Sequence, residues 1–166
     1  VDLPPIKWVL PQMIPEMSTV SLAGMSNVGK TRWLAALVVA LAVGDTKRMG
    51  LPQCARKIST VYIANEEQKT DLFRRLKAVA LQHGDKTSAK FHIRGKAAGM
   101  MRLVAMNEAG TLEIDEKNVA LVVNEIEEAK AKLVVFDPYI TLSDGADENS
   151  ASSASMLNKA FLLITS

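Results

Sequence analysis

Gly24-Met25-Ser26-Asn27-Val28-Gly29-Lys30-Thr31 has the spacing G-x-x-x-x-G-K-[ST], the pattern of a loop that wraps a phosphate chain in main-chain amides. Upstream, Ser18-Thr19-Val20-Ser21-Leu22-Ala23 alternates polar and apolar residues and predicts a strand. Downstream, Trp33 to Leu41 is rich in Leu and Ala and predicts a buried helix. Strand, loop and helix are the setting in which this spacing carries chemistry. The competing reading is a glycine-punctuated turn before a core helix.

Glycine tolerates the positive φ angles at which successive N–H groups converge on one anion, and the helix that follows adds the positive end of its dipole. The residues expected to hold a nucleotide are therefore Gly24, Ser26, Asn27, Val28, Gly29, Lys30, Thr31 and Arg32. Lys30 brings a compact positive charge to the β- and γ-phosphates, which places it among the catalytic groups too. The Thr31 hydroxyl is the expected protein ligand of Mg²⁺, so ATP and Mg²⁺ are the expected cofactors.

At 166 residues, with 48% hydrophobic content and a mean hydropathy of +0.10, the chain predicts one globular domain over 1–166. The longest apolar stretch, Leu34 to Val43, is too short to span a bilayer, and the N-terminus lacks the series of a secretion signal. A cytoplasmic setting without membrane contact is expected. The single Cys54 reads as a reduced thiol, and His83 and His92 as structural or exposed. A net charge of +2 is too small to demonstrate a nucleic-acid partner. Basic residues do gather at Lys47, Arg48, Arg56, Lys57 and at Arg74, Arg75, Lys77, but no aromatic residues are interleaved to stack bases.

Val1 to Pro15 holds four of the six prolines and predicts an extended N-terminal arm, within 1–17, anchored by Trp8. Ser59 to Ala64 predicts a strand. Gln68 to His83 predicts a helix with Leu72, Leu76, Val79, Ala80 and His83 on one face, ended by Gly84. A short strand at Lys90 to Arg94 and a hairpin from Arg102 to Ile114 around Asn107 to Gly110 follow. Asp115 offers an N-cap for a helix through Asn118 to Lys130, and Lys132-Leu133-Val134-Val135-Phe136-Asp137 reads as a fully covered parallel strand. Strands alternating with helices predict an α/β fold with a mostly parallel central sheet flanked by helices, whose ligands lie beyond the carboxyl ends of the strands.

Two of those strand ends carry acid. Asp137 closes a run of four hydrophobic residues, the form of a Walker B strand whose carboxylate holds Mg²⁺ through its water shell, unless it simply begins the Asp137-Pro138 turn. Asn65-Glu66-Glu67 follows the second strand. One carboxylate there could orient a water for in-line attack on the γ-phosphate, and the other could favour a helix dipole. Glu66 is favoured for the water and Glu67 for the helix terminus. Asp144-Gly145-Ala146-Asp147-Glu148-Asn149 reads first as an N-cap for the helix carrying Met156, Leu157, Phe161 and Leu162.

Together these pieces resemble the RecA-like ATPases, and more narrowly the RepA-type replicative helicases of plasmids, phages and mobile elements. The resemblance is carried by Leu3-Pro4-Pro5-Ile6-Lys7-Trp8 with Ile14-Pro15-Glu16, by Tyr62 to Glu67 with Phe73-Arg74-Arg75-Leu76, and by Asp137-Pro138 with Asp147-Glu148-Asn149. It implies a RecA-like fold, Glu66 as the catalytic glutamate, Asp137 as the Walker B carboxylate, and a hexameric ring in which a neighbour's arginine completes the ATP site. Single-stranded DNA is the partner it implies for the full-length protein. The family's polar sensor strand and arginine finger would lie beyond Ile164-Thr165-Ser166, and Val1 is not an initiator Met, so truncation is expected. The leading expectation is thus the ATPase motor core of a replicative DNA helicase. The alternative is a nucleotide-switched regulatory or loader module. A small-molecule kinase lacks an Arg-rich lid here, and a GTPase lacks its Asn-Lys-x-Asp base reader, since Asn158-Lys159 runs on into Ala160-Phe161.

Overall fold

The computed structural model describes residues 4–25, 28–54, 56–84, 91–144 and 151–165. Its centre is a parallel sheet of three strands, β3 (Thr60–Ala64), β4 (Phe91–Arg94) and β7 (Leu133–Asp137), in the order β4-β3-β7. Helix α2 (Lys69–Gln82) links β3 to β4. A hairpin of β5 (Val104–Met106) and β6 (Leu112–Ile114), followed by α3 (Glu116–Ala129), leads from β4 to β7. Helices α1 (Lys30–Val43) and α4 (Ala151–Thr165) complete the layers, while β1 (Trp8–Leu10) and β2 (Ile14–Pro15) form a small antiparallel pair near the N-terminus.

All five residues of β3 are buried, as expected of a central strand covered on both faces. Because side chains alternate, Val61 and Ile63 pack on Val119 and Val122 of α3 and on Leu157 and Phe161 of α4. Tyr62 and Ala64 face the other way, with Val135, against Ala35, Val38 and Val39 of α1 and Leu72 and Leu76 of α2. The result is an α/β sandwich with helices on both faces of the sheet.

Several local expectations are met. Helix α2 buries Leu72, Leu76 and Ala80, and Gly84, at φ 74, follows its end. The hairpin pairs Val104 with Ile114, and its turn closes on Gly110 at φ 76 while the Asn107 side-chain oxygen accepts from the amides of Ala109 and Thr111. Asp115 caps α3 by accepting from the Asn118 amide at 2.9 Å. Cys54 is a free, buried thiol.

Three expectations change. Ser18 to Ala23 forms no strand: Val20 and Leu22 are 56% and 44% exposed, so the alternation is present without a surface on which to bury its apolar half. Correspondingly β7 is not fully covered. Only Val135 of its five residues is buried, and β3 is its one ladder partner among the described strands. The arm is a hairpin and not a simple extended segment. Its anchor is Leu10, fully buried with Val9 against Leu37, Leu41, Cys54 and Ile58, whereas Trp8 stays half-buried. Compact aliphatic side chains fill this corner, and the larger indole is left at its rim. Arg56 pairs with Glu16 and ties the arm to the segment before β3. The acidic loop expected to cap α4 falls, from Gly145 onward, outside the described residues.

Candidate functional site: the phosphate loop and the ends of β3 and β7

Helix α1 begins where the loop pattern ends. Gly29 stands at its N-cap with φ 93 and ψ 20, a left-handed conformation suited to glycine. No side chain caps the helix and no acidic residue stands in its first turn. The amides at the start of a helix have no partner within it, so this end offers donors and a positive dipole to an incoming anion. Lys30 Nζ donates to the carbonyls of Gly24 at 2.6 Å and Met25 at 2.8 Å, so its ammonium lies folded over the loop's own main chain. Thr31 is half-buried, its hydroxyl unbonded to any described residue, and Arg32 and Val28 are exposed. Ser26 and Asn27 lie outside the described residues.

The two acidic strand ends come together. Ala64 of β3 is in register with Asp137 of β7, and the Asn65 amide donates to the Asp137 carbonyl at 3.1 Å. Glu66 therefore emerges at the same carboxyl edge as Asp137. The peptide bond between Asp137 and Pro138 is cis. Tyr62 donates its hydroxyl to Asp137 Oδ2 at 2.8 Å. Burial first, then the negative charge of Asp137 and the hydrogen bond to it, push the Tyr62 phenol well above its ordinary range, which keeps it a neutral donor. Asp137 turns to the sheet face covered by α1 and α2, but it makes no hydrogen bond to Lys30 or Thr31.

Glu66 and Glu67 are placed differently. Both oxygens of Glu67 meet Arg75, at 2.7 and 3.0 Å, in the two-pronged geometry that suits a guanidinium. Its carbonyl accepts from the Lys96 amide at 2.9 Å. Glu67 precedes the N-cap residue Gln68, and the acidic residue in the first turn of α2 is Asp71. The expected dipole role of Glu67 is thus replaced by an ion pair to the second turn. Glu66 is exposed and makes no hydrogen bond or ion pair with a described residue. Gly95 permits this junction: a Cβ there would lie 2.4 Å from the Lys69 nitrogen, so the exit of β4 sits hard against the start of α2.

Asn65 is the residue whose role the motif reading missed. It is buried, donates from Nδ2 to the Met101 carbonyl at 2.8 Å and to Thr141 Oγ1 at 2.7 Å, and accepts from the Met101 amide at 2.9 Å. Thr141 in turn donates to the Pro138 carbonyl at 2.8 Å. One amide thereby locks the residue before Glu66 to the segment after Asp137. A polar residue directly after a buried strand was the available signal; its partners are far along the chain.

The family model described as the AAA domain matches residues 1–165. The chain belongs to the AAA domain family. No curated protein and no solved structure matches the chain. As an AAA domain it is of the P-loop ATPase type, which binds ATP with Mg²⁺. The donor set fits that ion: one hydroxyl at Thr31 and one carboxylate at Asp137 suit a hard cation that keeps most of its waters and takes phosphate oxygens. Among the described residues no group of three or more His, Cys, Asp or Glu could hold a metal on its own. No helix of the described residues is long and apolar enough to cross a membrane.

The basic clusters of this AAA domain are largely paired internally. Arg48 meets Asp45 at 2.9 Å, Arg56 meets Glu16, Arg74 meets Asp71 at 3.2 Å, and Arg75 meets Glu67. A cleft of about 410 Å³ lined by Lys69, Arg94, Gly95 and Glu125 lies along β4, and none of the residues singled out by the motifs lines it.

Proposed function

We propose that the chain is the ATP-binding and ATP-hydrolysing core of a ring-forming, DNA-dependent motor of the RepA-type replicative helicase group, with a RecA-like arrangement. The observation that carries the hydrolytic reading is the contrast between the adjacent glutamates: Glu67 pairs with Arg75, while Glu66 pairs with no described residue and emerges at the same sheet edge as Asp137. In this reading the amides of Gly24 to Arg32 bind the phosphates, and Lys30 leaves the carbonyls of Gly24 and Met25 for the β- and γ-phosphates. Glu66 accepts a hydrogen bond from the attacking water and orients it in line with the γ-phosphorus. Thr31 and Asp137 would hold Mg²⁺, which supplies charge neutralisation on the phosphates. In the assembled ring a neighbouring subunit supplies the arginine that completes the site.

The test is ATP turnover by the full-length protein with and without single-stranded DNA. The proposal expects stimulation by DNA, loss of turnover in Glu66→Gln with retained ATP binding, and weakened binding in Lys30→Ala. Unstimulated turnover that survives both substitutions would refute it. The internal pairing of Arg48, Arg56, Arg74 and Arg75 favours a second reading, a nucleotide-switched regulatory or loader module. That reading expects ATP-dependent capture of a protein partner that persists in Glu66→Gln, with no DNA stimulation.

A further inference from the structure

Tyr62 and Asp137 are 75 residues apart in sequence and meet through strand register. Tyr62 lies opposite Val135, and Ala64 lies opposite Asp137, so the phenol reaches its acceptor on the diagonal, two residues up the neighbouring strand. With parallel strands about 4.8 Å apart and a rise of about 3.3 Å per residue, such diagonal neighbours are about 8 Å apart, within range of an aromatic side chain. The residue directly across from Asp137 is an alanine, which leaves the path to the carboxylate open. The ring itself is fully buried and packed with Ala35, Val38, Leu72 and Leu76, so both the donor and its direction are fixed by the core.

We propose that Tyr62 is a positioning residue for Asp137. By engaging Oδ2 it holds the carboxylate on the face covered by α1, with Oδ1 left to accept from a water of the metal shell. The main chain is held by the amide of Asn65, the residue that follows β3, so Asp137 is fixed at two points from this one segment. A group that orients a metal-side carboxylate through its second oxygen acts on metal affinity without touching the metal. This inference rests on the reading of Asp137 as the Mg²⁺-side carboxylate, and its test separates the two.

The affinity of the protein for a non-hydrolysable ATP analogue is measured by calorimetry in Mg²⁺ and in EDTA, for wild type, Tyr62→Phe, Asp137→Asn and the double variant. The ratio of the two affinities is the Mg²⁺-dependent gain. Tyr62→Phe is expected to cut this gain by about tenfold and to leave the affinity in EDTA unchanged. In the Asp137→Asn background the same substitution should have no further effect, as a thermodynamic cycle requires of a residue that acts through another. A purely structural tyrosine would move both affinities together. A full gain in Tyr62→Phe alongside a lost gain in Asp137→Asn overturns the positioning role alone. A full gain in Asp137→Asn overturns the metal-side reading and the inference with it. Should Tyr62→Phe fail to melt cooperatively, Tyr62→Met also lacks the hydroxyl and provides the same comparison.

Discussion

Replacing Gly95 by alanine isolates one contact on which the geometry of the Glu66–Glu67 corner depends. Gly95 has φ −103 and ψ 175, extended backbone open to any residue, so alanine meets no dihedral penalty. Its Cβ would instead lie 2.4 Å from the nitrogen and 2.8 Å from the Cα of Lys69. Both are main-chain atoms of the first residue of α2, so relief requires moving the helix start or the exit of β4. Overpacking of this kind costs about 1–3 kcal/mol, and a main-chain neighbour that cannot rotate away argues for the upper end. The reduced freedom of the unfolded chain returns about 0.4–1 kcal/mol, leaving a net loss of about 2 kcal/mol. For a chain of this length that lowers Tm by about 4–8 °C. The comparator is Gly110→Ala, where φ is 76 and nothing lies within 4 Å of the added carbon. Its left-handed strain of about 1–2 kcal/mol is offset by the same unfolded-state gain. Calorimetric melts of both variants should place Gly95→Ala below Gly110→Ala, with the Lys96–Glu67 bond weakened and slower exchange protection lost at the Lys96 amide. Equal melting points, or a stabilised Gly95→Ala, would refute the steric argument.

The two glutamates should separate stability from turnover: Glu67→Gln weakens a partly exposed bidentate pair and is expected to cost up to about 1 kcal/mol in urea unfolding. Glu66→Gln, with no described partner to lose, should stay within about 0.5 kcal/mol of wild type while abolishing ATP turnover. Asp115→Ala removes the cap of α3 and should cost about 1 kcal/mol, read as a lower denaturant midpoint at unchanged slope. Alkaline pH tests Tyr62. Its folded-state pKa is raised above the ordinary 10.0 by burial and by Asp137, so its contribution is intact below pH 10 and is lost as pH rises beyond it. The slope approaches about 1.4 kcal/mol per pH unit. Tyr62→Phe should flatten the alkaline limb of the stability profile, and an unchanged limb would contradict the assignment.

What could be read along the chain and what could not divide on a physical line. Local signals held. The glycine that ends α2, the Asp115 cap, the Asn107–Gly110 turn and the Leu72–Leu76–Ala80 face each depend on residues within a few positions of one another, and each appears where the spacing placed it. Ser18 to Ala23 failed because alternation states which side of a strand would be apolar without stating whether that side is buried, and Val20 and Leu22 stay exposed. Trp8 failed as an anchor for a related reason: size measures how much surface a side chain could bury, and the corner lined by Leu37, Leu41 and Ile58 admits Leu10 instead.

The candidate site shows the same division at the level of single atoms. The motif placed Lys30, Thr31, Glu66 and Asp137 at loop and strand ends, which is information about backbone position. It could not show that Glu67 would be consumed by Arg75, since an ion pair across the first turns of a helix competes with a dipole role that the same residue type serves equally well. Nor could it single out Tyr62 or Asn65, whose partners lie 75, 36 and 76 positions away. Tyr62 sits on β3, which alone among the described strands has neighbours on both sides, and Asn65 directly follows it. A central strand is held from both edges and buried on both faces, so a polar side chain on it is fixed with little freedom to relax. That rigidity makes the loss of one hydroxyl on β3 measurable at Asp137.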